Sequence, residues 1–200
     1  MKKLLLGAVI GALIAAVGLY VYQRIGPSAA PTGPVDTAES ALAAASKGKT
    51  DAGAALRNVK MAGSILTVKN GESIQAAVSK AKPGDTIQVM PGLYKETVYI
   101  DKDNIAIVGV IDKGAWPVMD GERKLNDAIL YSGSGTRIEN LKIVNYKGNA
   151  IMGQAGNNFV IRHNWIVDTG VYGIFPEFGK NGLIEYNVVS GIEDAAIYVG

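Results

Sequence analysis

Equivalent residues recur every 23 positions through the last third of the chain, and a repeat of that length with no helix in it leaves few ways to fold. With the segments beginning at Arg137, Val160 and Leu183 aligned, Ile138, Ile161 and Ile184 form one column, Ile143, Ile166 and Val189 a second, and Ile151, Ile174 and Ile197 a third. Ile129 extends the third column one rung earlier, at a spacing of 22. Three apolar columns mean three inward-facing strand positions per coil. No such unit buries its apolar face alone, so the units must stack, and short strands stacked in this way make a parallel β-helix solenoid. Asn164 and Asn187 share a column after the first strand, where stacked amides hydrogen-bond from coil to coil about 4.8 Å apart; Leu141 fills that slot in the first repeat. Glu139, Arg162 and Glu185 form a column of alternating charge, expected on the outside as solvated pairs worth a few tenths of a kcal/mol each.

Upstream, short β-rich runs lie between turn residues at Thr86–Met90, Thr97–Ile100, Asn104–Val110 and Ala128–Tyr131. Gly71-Glu72-Ser73 opens an amphipathic stretch with Ile74, Ala77, Val78 and Ala81 on one face, ended by Pro83-Gly84. A solenoid end exposes core and unpaired strand edges, so this helix is read as an N-terminal cap. The other end shows no such signal, because the chain stops at Ala195–Gly200, one strand into a fresh coil. The expectation is an incomplete C-terminal end, belonging to a longer protein or completed by a partner, and open to self-association.

The first 63 residues are of another kind. Leu4 to Tyr22 is an unbroken run of 19 uncharged residues. As a helix it spans roughly 28 Å, close to the hydrocarbon thickness of a bilayer. Lys2 and Lys3 precede it and Arg24 follows, a bias that keeps the N-terminus in the cytoplasm and sends the rest across. Residues 1–25 therefore read as a signal anchor or a cleaved signal peptide. The remainder is expected on the periplasmic or extracellular side, membrane-anchored or secreted accordingly. Residues 26–63, rich in Ala, Gly, Pro and Ser, read as a flexible linker, and residues 64–200 as the β-helix domain. The chain has no cysteine, which excludes disulfides, thiolate metal sites and redox motifs. Residues 64–200 carry 13 basic and 15 acidic side chains, so the body lacks the basic face that nucleic-acid binding needs.

The segments GESIQAAVSKAKPGDTIQVMPGLYKETVYI, Val171-Tyr172-Gly173-Ile174-Phe175-Pro176 and Asp194-Ala195-Ala196-Ile197-Tyr198-Val199-Gly200 resemble the pectin-lyase-like superfamily, whose fold is a right-handed parallel β-helix. More narrowly they resemble bacterial exported parallel β-helix repeat-containing proteins, a group without a generally established activity. The superfamily includes pectate lyases, mannuronan C5-epimerases and periplasmic accessory proteins of nitrous-oxide reductase maturation. The epimerase active strand reads Tyr-Gly-x-Asp-Pro-His. Here Tyr172, Gly173 and Pro176 match, while Phe175 and Glu177 stand where that chemistry needs its Asp and His. The resemblance therefore implies the fold, and a lyase or epimerase-like activity would have its catalytic groups partly beyond Gly200.

Met152, Phe175 and Tyr198 each follow an inward isoleucine, so strand alternation turns them outward as one column, with Gln154 and Glu177 two residues further along. Stacked apolar and aromatic side chains of this kind form a platform for sugar rings, and Met152, Gln154, Phe175, Glu177 and Tyr198 are the expected substrate-binding residues. Tyr172 and Glu177 are the candidate acid or base if the protein is catalytic. A lyase holds calcium with several carboxylates on one face, but the columns Asn145–Asp168–Gly191 and Gln154–Glu177–Gly200 stack no two acids. His163 is the single histidine, so no metal site is expected, and calcium is the one cofactor left open. The reading is a membrane-tethered, extracytoplasmic β-helix protein that binds polysaccharide; the alternatives are a polysaccharide lyase or epimerase-like enzyme and a structural scaffold.

Overall fold

The computed structural model describes residues 53–200. β1 (Ile65–Val68) is followed by α1 (Ile74–Lys80) and then by five triplets of short strands. The triplets are β2 (Thr86–Val89), β3 (Gly92–Tyr94) and β4 (Val98–Ile100); β5 (Ala106–Gly109), β6 (Pro117–Asp120) and β7 (Ile129–Tyr131); β8 (Arg137–Glu139), β9 (Lys142–Val144) and β10 (Ile151–Gln154); β11 (Val160–Arg162), β12 (Trp165–Val167) and β13 (Tyr172–Glu177); β14 (Leu183–Glu185), β15 (Val188–Ser190) and β16 (Ala195–Ile197). Each triplet is one coil. Its members pair in parallel with their equivalents in the coils above and below, giving sheet 1 (β1-β2-β5-β8-β11-β14), sheet 2 (β3-β6-β9-β12-β15) and sheet 3 (β4-β7-β10-β13-β16).

The register is the one the 23-residue spacing predicts: Ile161 pairs with Ile138 and Ile184, Ile166 with Ile143 and Val189, and Ile174 with Ile151 and Ile197. Ile138, Ile143, Ile151, Ile161, Ile166 and Ile174 are fully buried and form the centre of the core. The regular reading missed β1, β3 and β6, which lie in coils whose lengths depart from 23. Corners repeat as faithfully as strands. Asn140, His163 and Tyr186 occupy the left-handed region at one corner, and Asn145, Asp168 and Gly191 at another. The amide ladder forms as expected. Asn164 Oδ1 accepts from Leu141 N at 3.1 Å, Asn164 Nδ2 donates to Ile138 O at 3.0 Å, and Asn187 Oδ1 accepts from Asn164 N at 3.0 Å.

α1 buries Ile74 and Val78 and packs against β1, β2 and β4, which lie at or next to the N-terminal edges of their sheets. The next coil supplies partners for both its ends. Glu96 accepts from Ile74 N and Gln75 N at 2.8 and 3.0 Å, and Lys102 Nζ donates to Val78 O and Ser79 O at 3.0 and 2.8 Å. A carboxylate at the N-terminus and an ammonium at the C-terminus also suit the helix dipole.

The charged column is corrected in its surroundings. Arg162 bridges Glu139 at 3.0 Å and Glu185 at 3.8 Å, and Arg137 bridges Glu139 at 3.0 Å, so the alternation pairs as expected. Yet Arg137 and Glu139 are buried rather than solvated. The cause is the stretch before β1, whose residues 53–57 are helical and lie against sheet 1. Arg137 Nη1 donates to Leu56 O at 2.8 Å, and Arg57 Nη2 donates to Glu185 at 2.6 Å on the last coil, whereas Gly63 N donates to Gly84 O at 2.9 Å beside β2. The stretch read as linker thus runs lengthwise across sheet 1 as a strap in its final residues. The hydrogen bond from Arg57 is the main cause that holds the Glu185 carboxyl below its ordinary range.

The apolar run Leu4–Tyr22 and residues 26–52 lie outside the described residues. Among the described residues no helix is long and apolar enough to cross a membrane.

Two stability measurements follow from this packing. Ile161→Ala, in the middle of the fully buried column, is expected to cost about 2–5 kcal/mol in urea unfolding. Tyr131→Phe is expected to cost nothing or to stabilise, because the buried Tyr131 hydroxyl has no hydrogen-bond partner among the described residues; a loss above about 1 kcal/mol would disprove that account. The strap has a pH dependence of known sign. The folded-state value of Glu185 lies below the unfolded one, so the ion pair contributes fully above the ordinary carboxylate range and is lost as pH falls through the depressed folded value. Tryptic cleavage at Lys60 should therefore accelerate in Glu185→Gln at neutral pH.

Candidate functional site

Sheet 3 carries the residues the sequence points to. Met152 pairs with Phe175 and Gln154 with Glu177 across β10 and β13, and Tyr198 follows β16 in the same column as Phe175. Strand alternation aims them outward because their neighbours Ile151, Ile174 and Pro176 are buried. The column is longer than the sequence reading had it. Tyr99 on β4 pairs with Leu130 on β7, and Leu130 pairs with Met152, so Tyr99, Leu130, Met152, Phe175 and Tyr198 make one continuous stripe. Five rungs at the interstrand spacing span roughly 19 Å.

At the stripe's C-terminal end three rings cluster. Phe175 and Tyr198 have centroids 5.2 Å apart, and Tyr172 stacks on Tyr198 at 5.1 Å with an interplanar angle of 14° and meets Phe175 edge-on at 4.9 Å. Alternation alone would turn Tyr172 inward with Ile174. Its position as the first residue of β13, at the corner, lets the ring swing onto the other two. Asn149 Oδ1 holds its backbone N–H at 3.1 Å.

The electrostatics bear on the catalytic candidates. The Tyr172 phenol is held above its ordinary value, first by desolvation and then by the Asp194 carboxylate beside it. It therefore keeps its proton at neutral pH, the opposite of what a tyrosine base needs. Among the described residues no group of three or more His, Asp or Glu side chains is placed to hold a metal ion.

A second cluster, around His163, was not foreseen from the sequence. His163 and Tyr186, 23 residues apart in sequence, stack at 5.1 Å and 9°. Beside them Trp165, outward on β12, meets Trp116 edge-on at 6.1 Å and 74°, and Lys142 Nζ lies 3.8 Å over the Trp165 ring. His163, Tyr186, Trp165 and Trp116 line a groove of about 500 Å³ at the corner between sheets 1 and 2, with Lys142 beside it. Trp165 was legible, since Lys142, Trp165 and Val188 share an outward column. Trp116 was not. It follows a tight hairpin, bridged between Asp112 and Ala115 with Lys113 and Gly114 at positive φ, in an insertion that breaks the repeat.

Residues 121–200 match the family model described as right handed beta helix region. No curated protein and no solved structure matches the chain.

Removing the ladder amide that backs the corner tests how far the site depends on it. Asn164→Ala orphans the buried Leu141 N–H and Ile138 carbonyl and is expected to cost about 1–3 kcal/mol in urea unfolding, more than Asn187→Ala, whose side chain is half-buried.

Proposed function

We propose that this right-handed β-helix repeat protein is a polysaccharide-binding module, working through the outward stripe of sheet 3. The observation that carries the reading is the row Tyr99, Leu130, Met152, Phe175 and Tyr198, continuous over five coils and ending in a three-ring cluster. Aromatic and thioether side chains offer flat apolar surface to the C–H faces of pyranose rings. Gln154 and Glu177, one beside the other on the same face, supply polar partners for hydroxyl groups. The rung spacing is close to the length of one sugar unit, so an extended glycan can lie along the solenoid axis with successive rings over successive coils.

Binding rather than turnover is the better-supported activity. Tyr172 retains its proton, and the Asp194 carboxylate beside it opposes ionisation of the phenol rather than drawing the proton away, so the pair is not set up as a base. The apolar run Leu4–Tyr22 has the length and flanking charge of a membrane tether that presents the β-helix on the periplasmic or extracellular side.

The test is an array of soluble polysaccharides, neutral (hydroxyethyl cellulose, galactomannan, xyloglucan) and acidic (carboxymethyl cellulose, alginate, polygalacturonate), probed with the full chain in mild detergent. Phe175→Ala/Tyr198→Ala is expected to weaken binding to neutral chains at least tenfold while the β-rich circular dichroism spectrum is unchanged, both side chains being outward. Chain lengths of the bound polysaccharides should stay intact. Wild-type affinity in the double variant would overturn the reading, and shortened or unsaturated products would replace it with the lyase alternative.

A further inference from the structure

The corner groove has the makings of a ligand site of its own. Two indoles inclined at 74° and a stacked His163–Tyr186 pair form its walls, and Trp165 and Tyr186 are 38% and 71% exposed. Around these rings stand the Asn140 amide, the His163 imidazole, the Tyr186 hydroxyl and both indole N–H groups. Among the described residues none of them hydrogen-bonds to another side chain or to backbone, while the neighbouring Asn164 amide is fully engaged in the ladder. Ring faces bordered by unpartnered donors and acceptors suit an amphipathic ligand, apolar on its faces and polar at its rim, which is the surface a pyranose presents.

Charge distinguishes the two faces. The sheet 3 cluster is bordered by the carboxylates of Glu177 and Asp194. Among the described residues no carboxylate lines the corner groove, and Lys142, poised over Trp165, has no acidic partner. The two carboxylates oppose an acidic chain at the first face, and the Lys142 ammonium favours one at the second.

Geometry adds that the groove sits on the corner joining sheets 1 and 2, the one corner that sheet 3 does not touch. A straight chain cannot lie on both faces. We propose that the groove is a second glycan-contact face, and that one molecule bridges two polysaccharide chains, a neutral one along sheet 3 and an acidic one at the corner. This rests on the sheet 3 reading for one of its two contacts. The groove owes its far wall to the 112–115 hairpin, which sets Trp116 against Trp165.

The test is a sandwich assay with the full chain in mild detergent. Beads coated with each neutral polymer are incubated with protein and then with fluorescein-labelled carboxymethyl cellulose, alginate or polygalacturonate. Wild-type protein should recruit label to the beads. Trp165→Ala/Tyr186→Ala should remain on the beads but recruit at least tenfold less label. Lys142→Gln, which leaves every ring in place, should lower recruitment of acidic chains while the circular dichroism spectrum stays that of wild type. Phe175→Ala/Tyr198→Ala should leave the beads yet still retard acidic polymers in affinity gels. Undiminished recruitment by the Trp165/Tyr186 variant overturns the bridge and leaves the sheet 3 reading standing. Wild-type bead binding by the Phe175/Tyr198 variant overturns the sheet 3 reading, and loss of gel retardation in the Trp165/Tyr186 variant then still supports the corner. A wild-type chain that binds neither class of polymer overturns both.

Discussion

Everything in this molecule depends on the stacking of one coil on the next at a fixed interstrand distance. Parallel pairing places Ile138 under Ile161 and Ile161 under Ile184, and the same backbone bonds carry every outward side chain along. A column on the inside and a column on the outside are thus one constraint seen from two sides. The core needs the register to bury its isoleucines. The outer surface inherits it, so residues 23 apart in sequence become neighbours whether or not burial selects them.

Two devices hold that stack where the regular core alone is weak. The amide ladder at Asn164 and Asn187 satisfies buried backbone groups at a corner that strand pairing cannot reach. The strap from residue 53 to Gly63 ties the first coil to the last across sheet 1 and turns an exposed charge column into a largely buried network. Such a network makes removal of one member costly, because the partner left behind stays desolvated. Its position also covers part of sheet 1 and leaves sheet 3 and the sheet 1–sheet 2 corner uncovered.

Those two faces differ in how they were built. Sheet 3's stripe is a by-product of the stacking register, one outward residue per coil, which holds even where the coil length departs from 23. The corner groove is a departure from repetition, since it needs the insertion before β6 to bring Trp116 round to Trp165. A regular solenoid offers flat ridges. Concavity comes from breaking the period.

The sequence by itself determined the parallel β-helix, its three inward columns, the Asn ladder and the outward placement of Met152, Phe175 and Tyr198, because a period of 23 and strand alternation are properties of the chain alone. It also located α1, from the spacing of Ile74, Val78 and Ala81. Only the tertiary structure decided that Tyr172 joins the ring cluster, that Tyr99 and Leu130 lengthen the stripe, that residues 53–63 lie on sheet 1, and that Trp116 closes a groove. Each of these depends on a corner, an irregular coil or a non-repeating segment. There the spacing between contacting residues is set by loop conformation and side-chain packing, neither of which leaves a period in the sequence.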